Sequence, residues 1–273
     1  MILASLLNSY PRIGDVPSEQ ALRRAIARAE RGEAAPSSVA DAEDEMTRRA
    51  IDEQREAGLD ILTDGQIRWH DPVSHIARGL SGFRIGGLLR YFDTNTYYRQ
   101  PVAAGRIGRA APILLTAYRF AAGAAAPRPV KAIVTGPLTL ARLSRLGEGR
   151  RLRGLALEIA SALNRELLDL AGAGAGLIQI DEPAIARSPG DLPILRGALP
   201  RLIRGLRGCR TILATSFGGV GPILADLSAL PVSMIGIDLV AAASAAGAGK
   251  PGARRPVTAR RGSSRLVKTL PRD

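Results

Sequence analysis

The chain has 273 residues, of which 46% are hydrophobic, so it can bury a large core as a globular protein. Its single cysteine, Cys209, excludes an internal disulfide and any multi-cysteine metal cluster. The net charge of +13 is concentrated in residues 241–273, and no interleaved aromatic residues or recognised module accompany it, so a specific nucleic-acid partner is not expected.

The chain opens on the apolar run Met1 to Leu7. This run is too short for a membrane span and has no basic segment before it, which argues against a signal peptide or a transmembrane helix. We therefore interpret it as a first β-strand of a cytoplasmic protein that does not associate with membranes.

Strand-like and helical segments alternate along the rest of the chain. Helical patterns separate the predicted strands, and one of them carries a stripe of apolar side chains at helical spacing ahead of the fourth strand: Leu155, Ile159, Leu163, Leu167 and Leu170. Six strands are predicted, near residues 2–8, 59–63, 130–135, 177–181, 211–215 and 234–239. Repeated strand–helix units predict a parallel sheet, which is either doubly wound or closed into a barrel.

Polar side chains stand at the ends of many of these strands, and this distribution favours the barrel. They are Asp64, Thr135, Asp181 with Glu182, Thr215 with Ser216, and Asp238. A barrel assembles its site from many strand ends, whereas a doubly wound sheet uses one switch point. The glycine-rich run at 172–176 precedes a strand and does not open a helix, so it predicts a helix stop and not a nucleotide-binding loop. We predict an α/β fold of (β/α)8 TIM-barrel type that stops after about six strands.

A long polar stretch, Gln66 to Arg128, lies between the second and third strands and holds the only tryptophan and both histidines. Its tyrosines and phenylalanines are typical of an extended hairpin or a lid over the barrel rim, although simple loop packing would explain them too. Within it, His70 and His75 flank Asp71. These three residues are candidate metal ligands, but the sequence favours a polar helix start near the rim.

Four motifs in this order resemble the cobalamin-independent methionine synthases and their single-barrel relatives. They are "NSYPRIG" after the first strand, "LDILTDGQIRWHDPVSHIARGLSGF", "GPLTLARLS" after the third strand and "IQIDEPAIA" after the fourth. The resemblance runs from about residue 5 to residue 240. It implies a (β/α)8 barrel and a zinc-dependent methyltransferase of methionine biosynthesis, which transfers a methyl group from a methylated folate or another donor to homocysteine.

The resemblance also implies three substrate-binding residues. Ser9 matches the serine at the first strand end that contacts the amino acid, and Asp181 matches the aspartate that holds its ammonium group. Gln66 stands where the family often has a glutamate with the same task. We expect the missing charge at Gln66 to weaken ammonium binding or to change its geometry.

The expected zinc site is where the sequence departs from the family. The resemblance implies a histidine and a cysteine after the fifth strand, a glutamate near the sixth and a cysteine near the eighth, which together activate the homocysteine thiol. Here Thr215, Ser216 and Phe217 follow the fifth strand, and Cys209 precedes it, at the wrong end of the sheet. We therefore identify no zinc ligand and no catalytic residue. The segment around the fifth and sixth strands is closer to the non-catalytic amino-terminal barrel of the two-barrel synthases.

The sequence divides into a methionine synthase-like region, residues 1–240, and a tail rich in alanine, glycine and arginine, residues 241–273, which is predicted to be disordered. Two origins of the tail stay open. A change of reading frame in a GC-rich gene would have replaced the last two β/α units, whereas a genuine tail would bind a partner or an anionic surface. An open barrel exposes strand edges and therefore predicts low stability or assembly with another chain.

Two functions remain in view. The first is methyl transfer to homocysteine or a similar thiol. The second is a catalytically silent barrel that binds the substrate or acts as the partner of a second, zinc-bearing barrel subunit. A glycosidase or a metal-dependent aldolase is a weaker alternative, because the adjacent carboxylates of Asp181 and Glu182 point to opposite faces of a strand and cannot serve as an acid/base pair across a sugar.

Overall fold

The structure is a computed structural model, which describes residues 2–12, 20–35 and 37–241. Nearly all of the predicted tail, and with it both hypotheses about its origin, lies outside the described residues. The helices are α1 Ala21–Glu30, α2 Ser37–Glu56, α3 Ser74–Arg78, α4 Leu115–Ala125, α5 Pro137–Arg142, α6 Leu152–Gly172, α7 Pro183–Arg187, α8 Leu192–Leu202 and α9 Leu224–Ser228. The strands are β1 Leu80–Arg90, β2 Tyr97–Arg109, β3 Ala132–Thr135, β4 Arg145–Leu146, β5 Leu177–Asp181, β6 Arg210–Ala214 and β7 Met234–Gly236.

The central sheet is parallel, with the strand order β3-β5-β6-β7. Two earlier segments extend it through single parallel bridges, Ser5 with Ile61 and Leu62 with Val130. The sheet therefore has six parallel segments in chain order, as the barrel prediction requires. The first two segments are shorter than predicted, because each forms isolated bridges and not a continuous ladder.

A second sheet stands beside the central one and contains the antiparallel hairpin β1–β2, with β4 parallel to β2. The extended hairpin predicted in the long polar stretch is thus confirmed. Near its base the ladder shifts register between Ser81 and Phe83. A side chain on Gly82 would place its Cβ 2.3 Å from the carbonyl oxygen of Arg106, and the φ of Gly82 is +85°, so glycine is required there.

The main core lies between the sheet and its helices. All five residues of the apolar stripe on α6 are fully buried, as the helical spacing predicted. Inside the same helix, Glu166 accepts hydrogen bonds from Arg109 Nε at 2.5 Å and from the backbone N–H groups of Ile113 and Leu114 at 2.9 and 2.7 Å. This buried carboxylate fastens the end of β2 to the helical layer, and its charge is compensated by three donors.

The two ends of the central sheet differ. At the amino end of its strands lies a cavity of about 910 Å³ whose lining includes Leu7, Lys131, Leu177, Ile212 and Met234. At the carboxyl end, which is called the rim below, the strands lead into loops with polar and aromatic side chains. Among the described residues, no helix combines the length and the apolar character that crossing a membrane would need.

Candidate functional site

The rim is centred on Asp181, the last residue of β5, which pairs in register with Thr135 of β3 and Ala214 of β6. Gln179 precedes it by two residues on the same face of the strand, and its Nε2 donates to Asp181 Oδ1 at 2.6 Å. Burial raises the pKa of Asp181 to about 7, against the opposing effects of the Gln179 hydrogen bond and the Lys131 charge. The site therefore holds a carboxylate that is poorly compensated when ionised.

Glu182 points to the other side of the strand and serves a structural purpose, as its alternation with Asp181 predicted. Its side chain is fully buried and accepts hydrogen bonds from the backbone N–H groups of Leu138 and Thr139, at 2.9 and 2.7 Å, and from Thr139 Oγ1 at 2.6 Å. Burial raises the pKa of Glu182 to about 7, although these three donors favour its ionised form. Gly136 leaves room for it, because a Cβ there would lie 2.3 Å from the Glu182 carboxyl carbon.

The loop after Leu62 brings Gln66 to the rim. Gln66 is buried and has a φ of 54°, in the left-handed region that few side chains adopt. Its N–H donates to Asp64 Oδ1 at 3.0 Å, and its carbonyl accepts from the Trp69 N–H at 3.0 Å. Phe92 and Phe217, which also lie at the rim, have φ values of 50° and 60°. Strained backbone is typical of sites whose side chains must be aimed in one direction.

Ser9 is exposed and lies between two anchored backbone groups. The Leu7 carbonyl accepts from Gln179 Nε2 at 3.0 Å, and the Tyr10 N–H donates to the Gly65 carbonyl at 2.9 Å. The structure thus places Ser9 at the same end of the sheet as the other two predicted site residues. No direct contact joins the three side chains among the described hydrogen bonds.

The candidate metal ligands His70, Asp71 and His75 lie at the start of helix α3. Asp71 accepts from the N–H groups of Val73 and Ser74 at 2.8 and 2.5 Å, and so begins α3. His75 stacks on Trp69 with ring centroids 5.0 Å apart. Burial lowers the pKa of His75 to about 4, which keeps the ring neutral near pH 7. His70 is exposed.

Four aromatic rings, which we name the aromatic cluster, cover the rim: Tyr91, Phe92, Tyr98 and Phe217. Tyr91 meets Phe92, Tyr98 and Phe217 edge-on at centroid distances of 4.7, 6.1 and 5.7 Å, and Phe92 stacks on Phe217 at 5.8 Å. The hairpin end therefore packs against the loop that follows β6. These contacts pack aromatic residues of the predicted polar stretch against Phe217, and a lid function of the cluster stays a prediction.

Tyr91 connects the aromatic cluster to the carboxylates below it. Burial raises the pKa of its hydroxyl, and the charges of Asp181 and Glu182 raise it further, so the hydroxyl stays protonated at neutral pH. Outside the rings, Arg187 forms an ion pair with Asp93 at the hairpin end and reaches the Phe217 carbonyl at 3.5 Å. We call this pair the Arg187 latch.

The donor set after β6 does not fit the zinc ion that the resemblance implies. Thr215 Oγ1 donates to the Gly236 carbonyl at 2.9 Å, and the Phe217 N–H donates to Asp238 Oδ2 at 3.3 Å, so neither offers a thiolate or an imidazole. Cys209 lies at the amino end of β6, away from the rim. Across the described part of the chain, no three His, Cys, Asp or Glu side chains are grouped to hold a metal ion.

Several residues that shape the site could not be identified from a motif or a spacing in the sequence. The aromatic rings were visible only as composition, because the cluster joins residues from the hairpin and from the loop after β6 that are more than 100 positions apart. Arg187 is one of 38 basic residues and could not be singled out. Lys131 could have been noticed, since lysine occurs only at positions 131, 250 and 268.

A half-buried carboxylate beside a group of aromatic rings can pair with a small cationic group, because carboxylates form charge-assisted hydrogen bonds and aromatic faces attract cations. Gln66 and Ser9 lie at the same end of the sheet and offer an amide and a hydroxyl group.

Comparison with known proteins places these features in a family. Residues 10–191 match the family model described as cobalamin-independent synthase, catalytic domain. The chain is 29% identical over 227 residues to a methionine synthase of Sulfurisphaera tokodaii, an alignment that covers 83% of this chain and 67% of the relative. It is 34% identical over 175 residues to the 5-methyltetrahydropteroyltriglutamate–homocysteine methyltransferase of Thermotoga petrophila, covering 63% of this chain and 23% of that protein.

The fold matches solved structures of the same kind. A B12-independent methionine synthase from Shewanella sp. W3-18-1, solved in complex with selenomethionine, superposes with a TM-score of 0.61 and 23% identity, over 71% of this chain and 57% of that one. The chain thus spans about two thirds or less of these relatives. The matched region includes Gln66 and Asp181 and ends before β6. The chain belongs to the cobalamin-independent methionine synthase family.

Proposed function

We propose that the rim binds homocysteine as the methyl acceptor in a methionine synthase-type reaction, with a methylated folate or another donor supplying the methyl group. The observation that carries the proposal is the half-buried Asp181 carboxylate at the end of β5, which Gln179 Nε2 holds at 2.6 Å and whose pKa burial raises to about 7. A substrate ammonium group would supply the compensating charge. Names of the relatives support the choice of homocysteine, because the Thermotoga protein is described as a homocysteine methyltransferase.

Three residues divide the binding task in this proposal. Asp181 accepts hydrogen bonds from the ammonium group. Gln66, which carries no charge, contributes an amide where a carboxylate would have added attraction, so we expect weaker ammonium binding than a second carboxylate would give. Ser9 contacts the amino acid from the exposed first segment.

Ionisation of Asp181 gives the proposed binding a direction with pH. The ligand ammonium pairs with the carboxylate form, so below about pH 7 binding must first remove a proton from Asp181. We therefore expect affinity for homocysteine to rise as the pH increases from 5 to 8. The rise should end above the pKa of Asp181, where the carboxylate is fully ionised.

Activation of the homocysteine thiol is a separate question. Methyl transfer needs a thiolate, and the described residues after β6 include carboxylates and hydroxyls but no histidine or cysteine that could complete a zinc site. We therefore assign substrate binding to this chain and derive no step through zinc. This donor set also favours a second candidate function, a barrel that binds the amino acid without turnover, alone or as the partner of a zinc-bearing barrel.

Calorimetric titration with reduced L-homocysteine tests the proposed site. We expect binding by the wild-type protein and a loss of about tenfold or more in affinity for Asp181→Asn, because one charge-assisted interaction is worth about 1.5–3 kcal/mol. Asp52→Asn, on the exposed face of α2, is the matched control and should bind like the wild type. Titration with 4-mercaptobutyrate, which lacks the amino group, should show no difference between the two Asp variants.

Equal affinity of Asp181→Asn and wild type for homocysteine would refute the site. A separate measurement distinguishes the two candidate functions. Purified protein is analysed for zinc and then incubated with homocysteine and methyltetrahydrofolate, with and without added zinc. Methionine formation supports the methyltransferase, whereas homocysteine binding without methionine supports the silent barrel.

A further inference from the structure

A line of hydrogen-bonded polar groups runs through the interior of the sheet, from the cavity at the amino end to the rim. Lys131 Nζ donates to Gln179 Oε1 at 2.7 Å and to the Leu6 carbonyl at 2.9 Å. Gln179 Nε2 then donates to Asp181 Oδ1 at 2.6 Å and to the Leu7 carbonyl at 3.0 Å. The side chain of Gln179 thus connects Lys131 near the amino end with the candidate substrate-binding carboxylate of Asp181 at the rim.

Lys131 is unusual in this chain. It is the only lysine before residue 250, whereas the other basic residues of that region are arginines. It is 3% exposed, and its ammonium group forms no ion pair within 4 Å among the described residues. A buried cation without a directly bonded carboxylate is costly. Its hydrogen bonds to Gln179 and to the Leu6 carbonyl are therefore the interactions that offset this cost.

The donor and acceptor inventory shows what Lys131 does to its neighbour. An ammonium group can only donate, so the side chain of Gln179 must turn its oxygen toward Lys131. Its nitrogen then faces Asp181 and the Leu7 carbonyl, both of which are acceptors. In the opposite orientation the amide would present an oxygen to Asp181 and its NH₂ group to the ammonium, and both contacts would be repulsive. Lys131 therefore selects one of the two amide orientations.

We propose that Lys131 and Gln179 are positioning residues for Asp181, the carboxylate proposed to bind the substrate. Lys131 fixes the orientation of the Gln179 amide, and Gln179 fixes the Asp181 carboxylate at the rim. The inference deepens the proposed function and rests on it only for the identity of the ligand. Neither residue needs to touch the substrate. The same two contacts to the carbonyls of Leu6 and Leu7 hold the first segment, which carries Ser9, against the end of β5.

The arrangement also sets the charge of Asp181. Among the described residues, this carboxylate interacts electrostatically with Lys131, which directly precedes β3, with Glu182 next to it in the chain and with Tyr91 at the hairpin end. The Lys131 cation and the Gln179 hydrogen bond lower the pKa of Asp181, in opposition to burial. Arg128 and Arg210 border the same cavity as Lys131 and add positive charge on that side. Loss of Lys131 or of the amide donor should therefore keep Asp181 protonated to higher pH.

Two variants separate these effects. Gln179→Glu keeps the size of the side chain and gains an ion pair with Lys131, and its ionised carboxylate both removes the donor to Asp181 and adds a like charge beside it. Lys131→Met removes the charge at similar length. Gln100→Glu on β2 is the matched control for the first, since it adds the same charge outside the interior line. Circular dichroism and thermal melting check that each variant is folded, and Gln179→Glu keeps the inference testable if Lys131→Met unfolds.

The readout is the titration midpoint of Asp181 in ligand-free protein, followed by carboxyl ¹³C NMR and assigned with Asp181→Asn. We expect the midpoint to rise by about one pH unit or more in Gln179→Glu and in Lys131→Met, and to stay at the wild-type value in Gln100→Glu. The pH at which homocysteine affinity is half-maximal should rise by the same amount. A purely structural contribution of the two residues would lower stability without moving either midpoint.

Unchanged Asp181 midpoints in both variants would overturn the inference. The NMR measurement needs no ligand, so it also separates this inference from the proposed function. Shifted midpoints in a wild-type protein that fails to bind homocysteine would support the orientation of Asp181 by Gln179 and Lys131, and would contradict homocysteine as the ligand.

Discussion

The two ends of the central sheet use the same strands for different purposes. At the rim, the strand ends carry Asp181, Glu182 and Thr135, the aromatic cluster lies near these carboxylates, and three non-glycine residues hold positive φ angles. At the amino end, the same strands begin with apolar side chains around a cavity of about 910 Å³, and Lys131 is a buried cation in its lining.

The difference shows where side-chain identity is constrained. At the rim Thr135, Asp181 and Glu182 each have specific hydrogen-bond partners, and small changes at these residues should be costly. At the amino end the side chains of Leu7, Ile212 and Met234 border open space, and changes there can be absorbed. In barrels of this type the carboxyl end carries the chemistry and the opposite end supports stability. Lys131 and Gln179 are the link between the two.

The largest effect that we expect comes from filling space at the rim. Gly136→Ala would place a Cβ 2.3 Å from the Glu182 carboxyl carbon, and Glu182 cannot move without losing its three hydrogen bonds. We expect a loss of about 3 kcal/mol or more in the free energy of unfolding, measured by urea denaturation.

Gly123→Ala on α4 provides the matched control, since a Cβ there meets no atom within 4 Å. Alanine in a helix interior should raise stability by about 0.5–1 kcal/mol. Similar stabilities of the two variants would show that the packing around Glu182 is looser than the distances indicate.

The two ends should also respond in different pH ranges. Burial raises the pKa of Asp181 from 3.8 to about 7, so the unfolded chain loses this proton first, and stability falls as pH rises from about 4 to 7. His75 opposes this trend, because its lowered pKa makes stability rise as the pH increases from about 4 to 6.5.

Burial lowers the pKa of Lys131 from 10.5 to about 8, so the folded protein carries a costly buried ammonium below pH 8. This cost is relieved as the pH rises from 8 to 10.5.

Lys131→Met isolates the response of the amino end. The wild-type protein should gain on the order of 2 kcal/mol of stability from Lys131 between pH 8 and 10.5, a gain that the variant lacks. The measurement is the difference in unfolding free energy between the two proteins, which cancels the tyrosines that titrate in the same range. Parallel curves for wild type and Lys131→Met over this range would show that Lys131 is not desolvated in solution.

Local patterns in the sequence were sufficient to predict much of the fold. The buried stripe on α6, the parallel strands and the hairpin follow from periodicity and composition, since each pattern is contained in one segment. Alternation along β5 also separated Asp181 from Glu182 correctly. The first two strands were predicted as full strands and exist only as bridges, because their pairing depends on neighbours distant in the chain.

The candidate site was predictable only in part, for the same reason. Ser9, Gln66 and Asp181 were identified by motif, and the structure places them at one end of the sheet; their roles stay predictions. The aromatic cluster and the Gln179 amide orientation could not be foreseen, because each depends on contacts between segments that the sequence separates by 40 residues or more. Side-chain orientation is a property of the assembled site and not of any one motif.

The smallest effect that we expect concerns the Arg187 latch. Arg187 and Asp93 have side chains that are 44% and 76% exposed, so breaking the pair should change the unfolding free energy by less than about 1 kcal/mol. The hairpin end, however, is held by this pair and by the aromatic cluster, whose Tyr98 hydroxyl also donates to the Leu143 carbonyl at 3.1 Å. Arg187→Leu should therefore speed hydrogen exchange of the backbone amides in residues 91–97, measured by mass spectrometry, while overall stability stays nearly constant.

Arg196→Leu is the matched control, because Arg196 forms another exposed ion pair, with Asp226, between α8 and α9. It should leave exchange in residues 91–97 unchanged. If both variants leave exchange there unchanged, the aromatic cluster alone holds the hairpin end. The hairpin end would then be held at the rim by apolar contacts of the kind that line the amino end. The contrast between the two ends would in that case rest on Asp181, Glu182 and their hydrogen-bond partners.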